Sequence, residues 1–192
     1  MILTDIDGVW TDAGMYYDQI GNELKKFNTS DSAGVMFSNK LGIPVGIITG
    51  EDTEIVKNRA KKLKIEILYQ GISDKVSAAN EICDKYNISL QDIAYIGDDV
   101  GDYNLLKLVG FSCAPNNASD YIKEVVDFVT TKNGGEVTLS GLEQGSTYDA
   151  AILADYDILD GSPKFDENIT IESIPPLTAN KMRSPSETRA CF

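Results

Sequence analysis

The stretch MILTDIDGVWT, residues 1–11, decides how the rest of the chain reads. Residues 1–4 are apolar apart from Thr4 and run directly into the acidic DIDG, the pattern of a short buried strand that ends in a functional loop. Later segments repeat the design. IPVGIITG (43–50) is a continuous apolar run closing on Thr-Gly, IEILYQ (65–70) reads as a third strand, and IAYIGDD (93–99) as a fourth that ends in carboxylates; FSCAP (111–115) adds a short fifth. Uninterrupted apolar runs of strand length are typical of strands covered on both faces by helices. Helical stretches alternate with them: Ser30 or Asp31 to about Leu41, Glu51 to Lys62, Asp74 to Tyr86 and Tyr103 to Val109. This alternation predicts an α/β fold, a Rossmann-like parallel sheet flanked by helices and wound by right-handed crossovers. Between the first strand and the first helix, GMYYDQIGNELKKFN (14–28) has β-rich flanks around an Ile-Gly-Asn turn, which predicts a projecting β-hairpin.

The bulk properties bound what such a domain does. With 192 residues and 42% hydrophobic composition the chain can bury one full core. A net charge of −13 argues against a nucleic-acid surface or a patch for anionic membranes, both of which need clustered Lys and Arg. The N-terminal pattern is a strand rather than a signal peptide and no apolar run is long enough to span a bilayer, so a cytoplasmic protein is expected. Cys83, Cys113 and Cys191 lack CxxC spacing and read as reduced structural thiols. The chain has no histidine, which excludes Ser-His-Asp triads, Cys-His dyads and histidine-bound metals. Catalysis must rest on carboxylates, lysine, hydroxyls or a metal. After about Gly135 the texture changes: residues 137–192 lack sustained periodicity and carry clusters such as SIPPLT and RSPSET. We divide the chain into a domain over 1–136 and an atypical tail over 137–192, partly disordered or forming a few strands.

In an open parallel sheet, ligands bind beyond the carboxyl ends of the strands. Collecting the residues just after each strand gathers Asp5 and Asp7, Thr49 and Gly50, and Asp98, Asp99 and Asp102. Carboxylates converging on one small site repel unless a cation neutralises them, and hard oxygen ligands beside a prospective phosphate point to Mg²⁺. Thr49, with the backbone amides of Gly50 and Glu51, suits an anion at a helix N-terminus. Lys75 sits at a helix start, where a lysine is unfavourable to the helix dipole.

Four signals in order, DxDGxxT from Asp5 to Thr11, the strand-terminal Thr49, Lys75, and GDDxxD from Gly97 to Asp102, resemble the haloacid dehalogenase superfamily of phosphatases. The resemblance implies that Asp5 is a nucleophile forming an aspartyl-phosphate and that Asp7 protonates the leaving alkoxide and then activates water. It implies further that Thr49 and Lys75 hold the phosphoryl oxygens, that Asp98 completes a Mg²⁺ site with Asp5 and the backbone carbonyl of Asp7, and that Asp99 and Asp102 support the site. The intervals Thr11–Thr49 and Lys75–Asp98 leave no room for a cap domain, so a neighbouring subunit is expected to close the site. Residues 1 to about 136 look like the capless sugar-acid phosphatases that act on 3-deoxy-manno-octulosonate 8-phosphate and on nine-carbon ulosonate 9-phosphates. That family implies a homotetramer whose hairpins reach neighbouring sites, here Gly14 to Asn28. Glu51 is expected to contact the sugar acid, with Lys62 on the same helix face. TSDSAG (29–34) together with Glu51 looks closer to the nine-carbon branch.

The chain departs from the family after its glycine pair, where Gly134-Gly135-Glu136-Val137 replaces the usual further Gly and Arg-Glu pair. An inter-subunit arginine therefore cannot be assigned, and a frameshifted or fused C-terminus is one reading of the tail. From a different class, the alternative reading is a non-catalytic phosphatase-like assembly or regulatory domain related to nucleotide-sugar (acylneuraminate) synthesis. The complete set of Asp5, Asp7, Lys75 and Asp98 argues against a pure scaffold.

Overall fold

A computed structural model describes residues 1–136, and the strands and disorder expected for 137–192 lie outside them. Six strands form one parallel sheet in the order β5-β4-β1-β6-β7-β8: β1 (Ile2–Thr4), β4 (Val45–Ile48), β5 (Ile67–Tyr69), β6 (Ala94–Ile96), β7 (Phe111–Ala114) and β8 (Phe128–Val129). From β1 the chain moves outward to β4 and β5, crosses back to the other side of β1, and continues outward through β6, β7 and β8. The strand order thus reverses at β1, and a crevice opens beyond its carboxyl end.

Period-2 alternation distributes the core. In β4, Val45 and Ile47 pack with Ile6, Trp10, Val35, Val56 and Ala60, whereas Ile48 packs on the opposite face with Leu3, Ala79, Ile82 and Leu105. Helices α1 (Asp31–Lys40) and α2 (Glu54–Leu63) therefore cover one face, and α3 (Lys75–Tyr86) and α4 (Tyr103–Leu106) the other. Ile47 and Ile48 are both fully buried, each such side chain contributing roughly 2 kcal/mol. Cys83 and Cys113 are buried in this core. The expected hairpin is present as β2 (Tyr16–Tyr17) and β3 (Glu23–Leu24), antiparallel, with Gly21 at φ +87° in its turn.

Two sequence readings need correction. Helix α2 begins at Glu54, three residues later than expected, because Thr53 adopts an extended conformation and its hydroxyl accepts from the Val56 amide as the N-cap. Glu51 consequently precedes the helix and cannot share a helix face with Lys62. The last strand, β8, and the short helix α5 (Asp120–Lys123) went unread, since two- and four-residue elements leave almost no periodic signal. Among the described residues no helix is long and apolar enough to cross a membrane.

Candidate active site

The loop after β1 is built by its own backbone. The amides of Val9, Trp10 and Thr11 all converge on the Ile6 carbonyl, at 3.2, 2.8 and 3.3 Å. The Trp10 indole donates to the Thr4 hydroxyl (2.9 Å), which in turn donates to the Asp5 carbonyl (2.7 Å), so a buried ring ties the loop to the strand it leaves. Thr11, the last residue of DxDGxxT, accepts from the Gly8 amide (3.3 Å) and donates to Asp7 Oδ1 (3.4 Å). Gly8 has φ +83°, and a Cβ there would lie 1.9 Å from Asp98 Oδ2; only glycine lets the loops after β1 and β6 close on each other.

Asp5 and Lys75 form the centre. The Lys75 ammonium, 5% exposed, lies 3.1 Å from Asp5 Oδ2 and donates to Asp102 Oδ1 at 2.6 Å. Burial would depress this ammonium, but the charges of Asp5 and Asp102 outweigh it and raise it. Asp102 is fully buried and fully partnered: beside Lys75, its carboxylate accepts from the Tyr95 hydroxyl and from the amides of Asp98 (2.9 Å) and Asp99 (3.2 Å). At Gly97 a Cβ would come within 2.3 Å of the Asp102 carboxyl carbon, so the glycine of GDDxxD makes room for this hub. Asp99 is exposed, and its carboxylate accepts from the Gly101 amide (2.8 Å), shaping the loop.

Carboxylate oxygens of Asp5, Asp98 and Asp102 lie within 4.8 Å of one another. Asp102 has its oxygens occupied, whereas Asp5 Oδ1 and Asp98 Oδ1 are buried without a hydrogen-bond partner among the described residues. Burial and then the charge of Asp102 push Asp5 up to about 7, against the pull of Lys75; burial and then Asp5 push Asp98 up to about 8. Two such buried carboxylates within one cluster fit a hard divalent cation such as Mg²⁺, which would replace the missing donors and relieve the repulsion. Asp5 and Asp98 would hold it.

Thr49 is buried at the end of β4, anchored by its amide on the Tyr69 carbonyl (2.9 Å) and by its carbonyl on the Ile72 amide (3.1 Å), and Gly50 beside it is exposed. The amides of Gly50 and Glu51 belong to a loop ahead of α2 rather than to a helix N-terminus, which corrects the expected anion site. Glu51 and Asp7 are brought together by a residue that sequence reasoning missed: the Lys25 ammonium contacts Asp7 Oδ1 (2.6 Å) and Oδ2 (2.8 Å) and Glu51 Oε2 (2.6 Å). Tyr95 was missed as well; the only signal for it was a tyrosine on an otherwise aliphatic buried strand. Lys62 is exposed in the last turn of α2, toward the amino edge from which β5 starts, so the structure does not bring it to this chain's site.

A parallel sheet with a paired Asp5 and Lys75 and a cation-ready Asp98 at its switch point defines a haloacid dehalogenase-like hydrolase, and the model of that family matches residues 48–136. The chain is 36% identical over 135 residues to the 3-deoxy-D-manno-octulosonate 8-phosphate phosphatase KdsC of Escherichia coli K12, covering 70% of this chain and 72% of the relative. Solved structures agree. The phosphatase of that name from Moraxella catarrhalis, in complex with magnesium ion, phosphate ion and KDO, superposes with a TM-score of 0.68 at 36% identity, over 70% of this chain and 77% of the other. The cobalt-bound enzyme from Haemophilus influenzae gives 0.68 at 32% identity, over 70% and 79%. The chain belongs to this phosphatase family of the haloacid dehalogenase superfamily and is a phosphoric monoester hydrolase.

Proposed function

We propose that the protein is a Mg²⁺-dependent phosphatase of sugar-acid phosphates, either 3-deoxy-manno-octulosonate 8-phosphate or a nine-carbon ulosonate 9-phosphate, working through an aspartyl-phosphate on Asp5. The observation that carries this is the pairing of Asp5 Oδ2 with the buried Lys75 ammonium beside a cluster in which carboxylate oxygens of Asp5, Asp98 and Asp102 lie within 4.8 Å of one another. A carboxylate attacks a phosphate dianion only where positive charge offsets the repulsion. Lys75 supplies part of it, with Thr49 and the amides of Gly50 and Glu51 holding the phosphoryl oxygens, and Mg²⁺ when bound supplies the rest.

Asp5 attacks phosphorus, the bond to the sugar oxygen breaks, and Asp7 gives that oxygen its proton. Water then attacks the aspartyl-phosphate, Asp7 takes the proton back, and inorganic phosphate leaves with the Asp5 carboxylate restored. Asp102 fixes Lys75 from behind, as a positioning residue. The hairpin exposes Met15, Tyr16, Tyr17, Ile20 and Leu24, the last at 63% and Ile20 at 85%, an apolar surface suited to a second copy of this chain in a homotetramer.

The test is phosphate release with Mg²⁺ from the eight-carbon and nine-carbon substrates, by wild type and Asp5→Asn. Release that vanishes in the variant and with chelator is expected, and the two rates rank the substrates. Release that persists in Asp5→Asn would overturn the nucleophile.

A further inference from the structure

Lys25 stands outside every motif that marks the site, yet its ammonium is seated in the mouth. It follows β3 on the returning arm of the hairpin, and its side chain is only 1% exposed. Three carboxylates surround it: Asp7 at 2.6 Å, Glu51 at 2.6 Å and Glu23 at 3.5 Å. An ammonium withdrawn from water costs several kcal/mol unless carboxylates replace its hydration, so this placement persists because the three are there. The two lysines divide the mouth between them: Lys75 contacts Asp5 and Asp102, and Lys25 contacts Asp7 and Glu51.

We propose that Lys25 is a positioning residue for the leaving-group half of the reaction, delivered by the hairpin to hold the Asp7 carboxyl and Glu51 at the mouth. The role rests on the assignment of Asp7 as acid and base given above. One ammonium touching both Asp7 oxygens fixes the rotation of the carboxyl group, whose other side-chain contact is the Thr11 hydroxyl at 3.4 Å. A proton donor misplaced by an ångström loses about a hundredfold, so a held carboxyl is worth having. As the Asp7 proton moves to the departing oxygen, the ammonium stabilises the carboxylate left behind, and Lys25 keeps its own proton throughout.

Leaving-group dependence tests the role. First-turnover release at saturating Mg²⁺ is measured by rapid quench for 3-deoxy-manno-octulosonate 8-phosphate, whose alkoxide needs a proton, and for p-nitrophenyl phosphate, whose phenolate does not. Asp7→Asn and Lys25→Met are both expected to slow the sugar-acid ester by about tenfold or more and the nitrophenyl ester by less than about threefold. Lys25→Gln, which keeps a donor but no charge, should show the same selective loss, and Lys25→Arg should restore most of the sugar-acid rate. Equal slowing of both esters by Lys25→Met and Lys25→Gln, or slowing of neither, while Asp7→Asn remains selective, overturns the role of Lys25 alone. Loss of selectivity in Asp7→Asn itself overturns the acid assignment and the positioning role with it.

Discussion

Asp102 is a buried carboxylate committed entirely to protein partners. Both of its oxygens are committed, to Lys75 and Tyr95 on one side and to the amides of Asp98 and Asp99 on the other. Asp102→Asn turns one of those acceptors into a donor facing a donor in a buried site; we expect a loss of about 3–5 kcal/mol in urea unfolding together with phosphatase activity. Tyr95→Phe removes one partner of four and is expected to cost about 2 kcal/mol with most activity retained. Away from the site carboxylates Asp5 and Asp98, Asp31 adds its own pH dependence to stability. It is buried with Oδ2 unpartnered, and burial pushes it up to about 7, Arg59 pulling only partly the other way. Between the ordinary value of 3.8 and about 7 the folded chain holds a proton that the unfolded chain has lost, so this residue's contribution is most favourable below pH 4 and declines as pH rises through 7. Urea unfolding at pH 5 and pH 8 should therefore show Asp31→Asn with a flatter profile, gaining roughly 3 kcal/mol on wild type between the two pH values. The GDDxxD pattern marked Asp102 as support for the site but not its partners, and nothing in the sequence set Asp31 apart among 30 acidic residues.

At the scale of elements, strands were read most securely. The apolar run 43–50 contains β4 and the run 93–99 contains β6, because strands buried on both faces leave an uninterrupted apolar signature. Helix starts at Asp31, Lys75 and Tyr103 fall within a residue of the reading, and that of α2 does not. EDTE (51–54) offers competing caps, and the choice fell to Thr53, whose neighbour Asp52 is drawn off to Lys57 (2.9 Å) and Gln70 (2.8 Å). Thr53→Ala should cost about 1 kcal/mol in thermal unfolding, with the site otherwise intact. The hairpin is marginal by itself, two short strands with their apolar side chains outward. A Tyr17→Asp, Ile20→Asp double variant is expected to give a lighter particle by light scattering with unchanged far-ultraviolet circular dichroism; an unchanged mass would remove the hairpin from the assembly.

For the whole molecule, the cation site joins two halves of the sheet through the loops after β1 and β6. Asp5 and Asp98 repel while no cation lies between them, so Mg²⁺ should bind the folded state in preference to the unfolded one. At a hundredfold excess over Kd this linkage is worth about 2.7 kcal/mol. A clear rise in melting temperature with MgCl₂ is expected for wild type and none for Asp98→Asn. By itself, the sequence determined the alternation of strands and helices, the hairpin, and the strand-end positions of Asp5, Asp7, Thr49 and Asp98, because burial and turn chemistry are local and periodic. Only the tertiary structure decided that the sheet reverses at β1, that Asp102 is saturated while Asp5 and Asp98 are not, and that Lys25 rather than Lys62 reaches Asp7 and Glu51. Those outcomes depend on which distant segments share a space, and a lysine carries the same charge in the sequence whether it ends in solvent or between carboxylates.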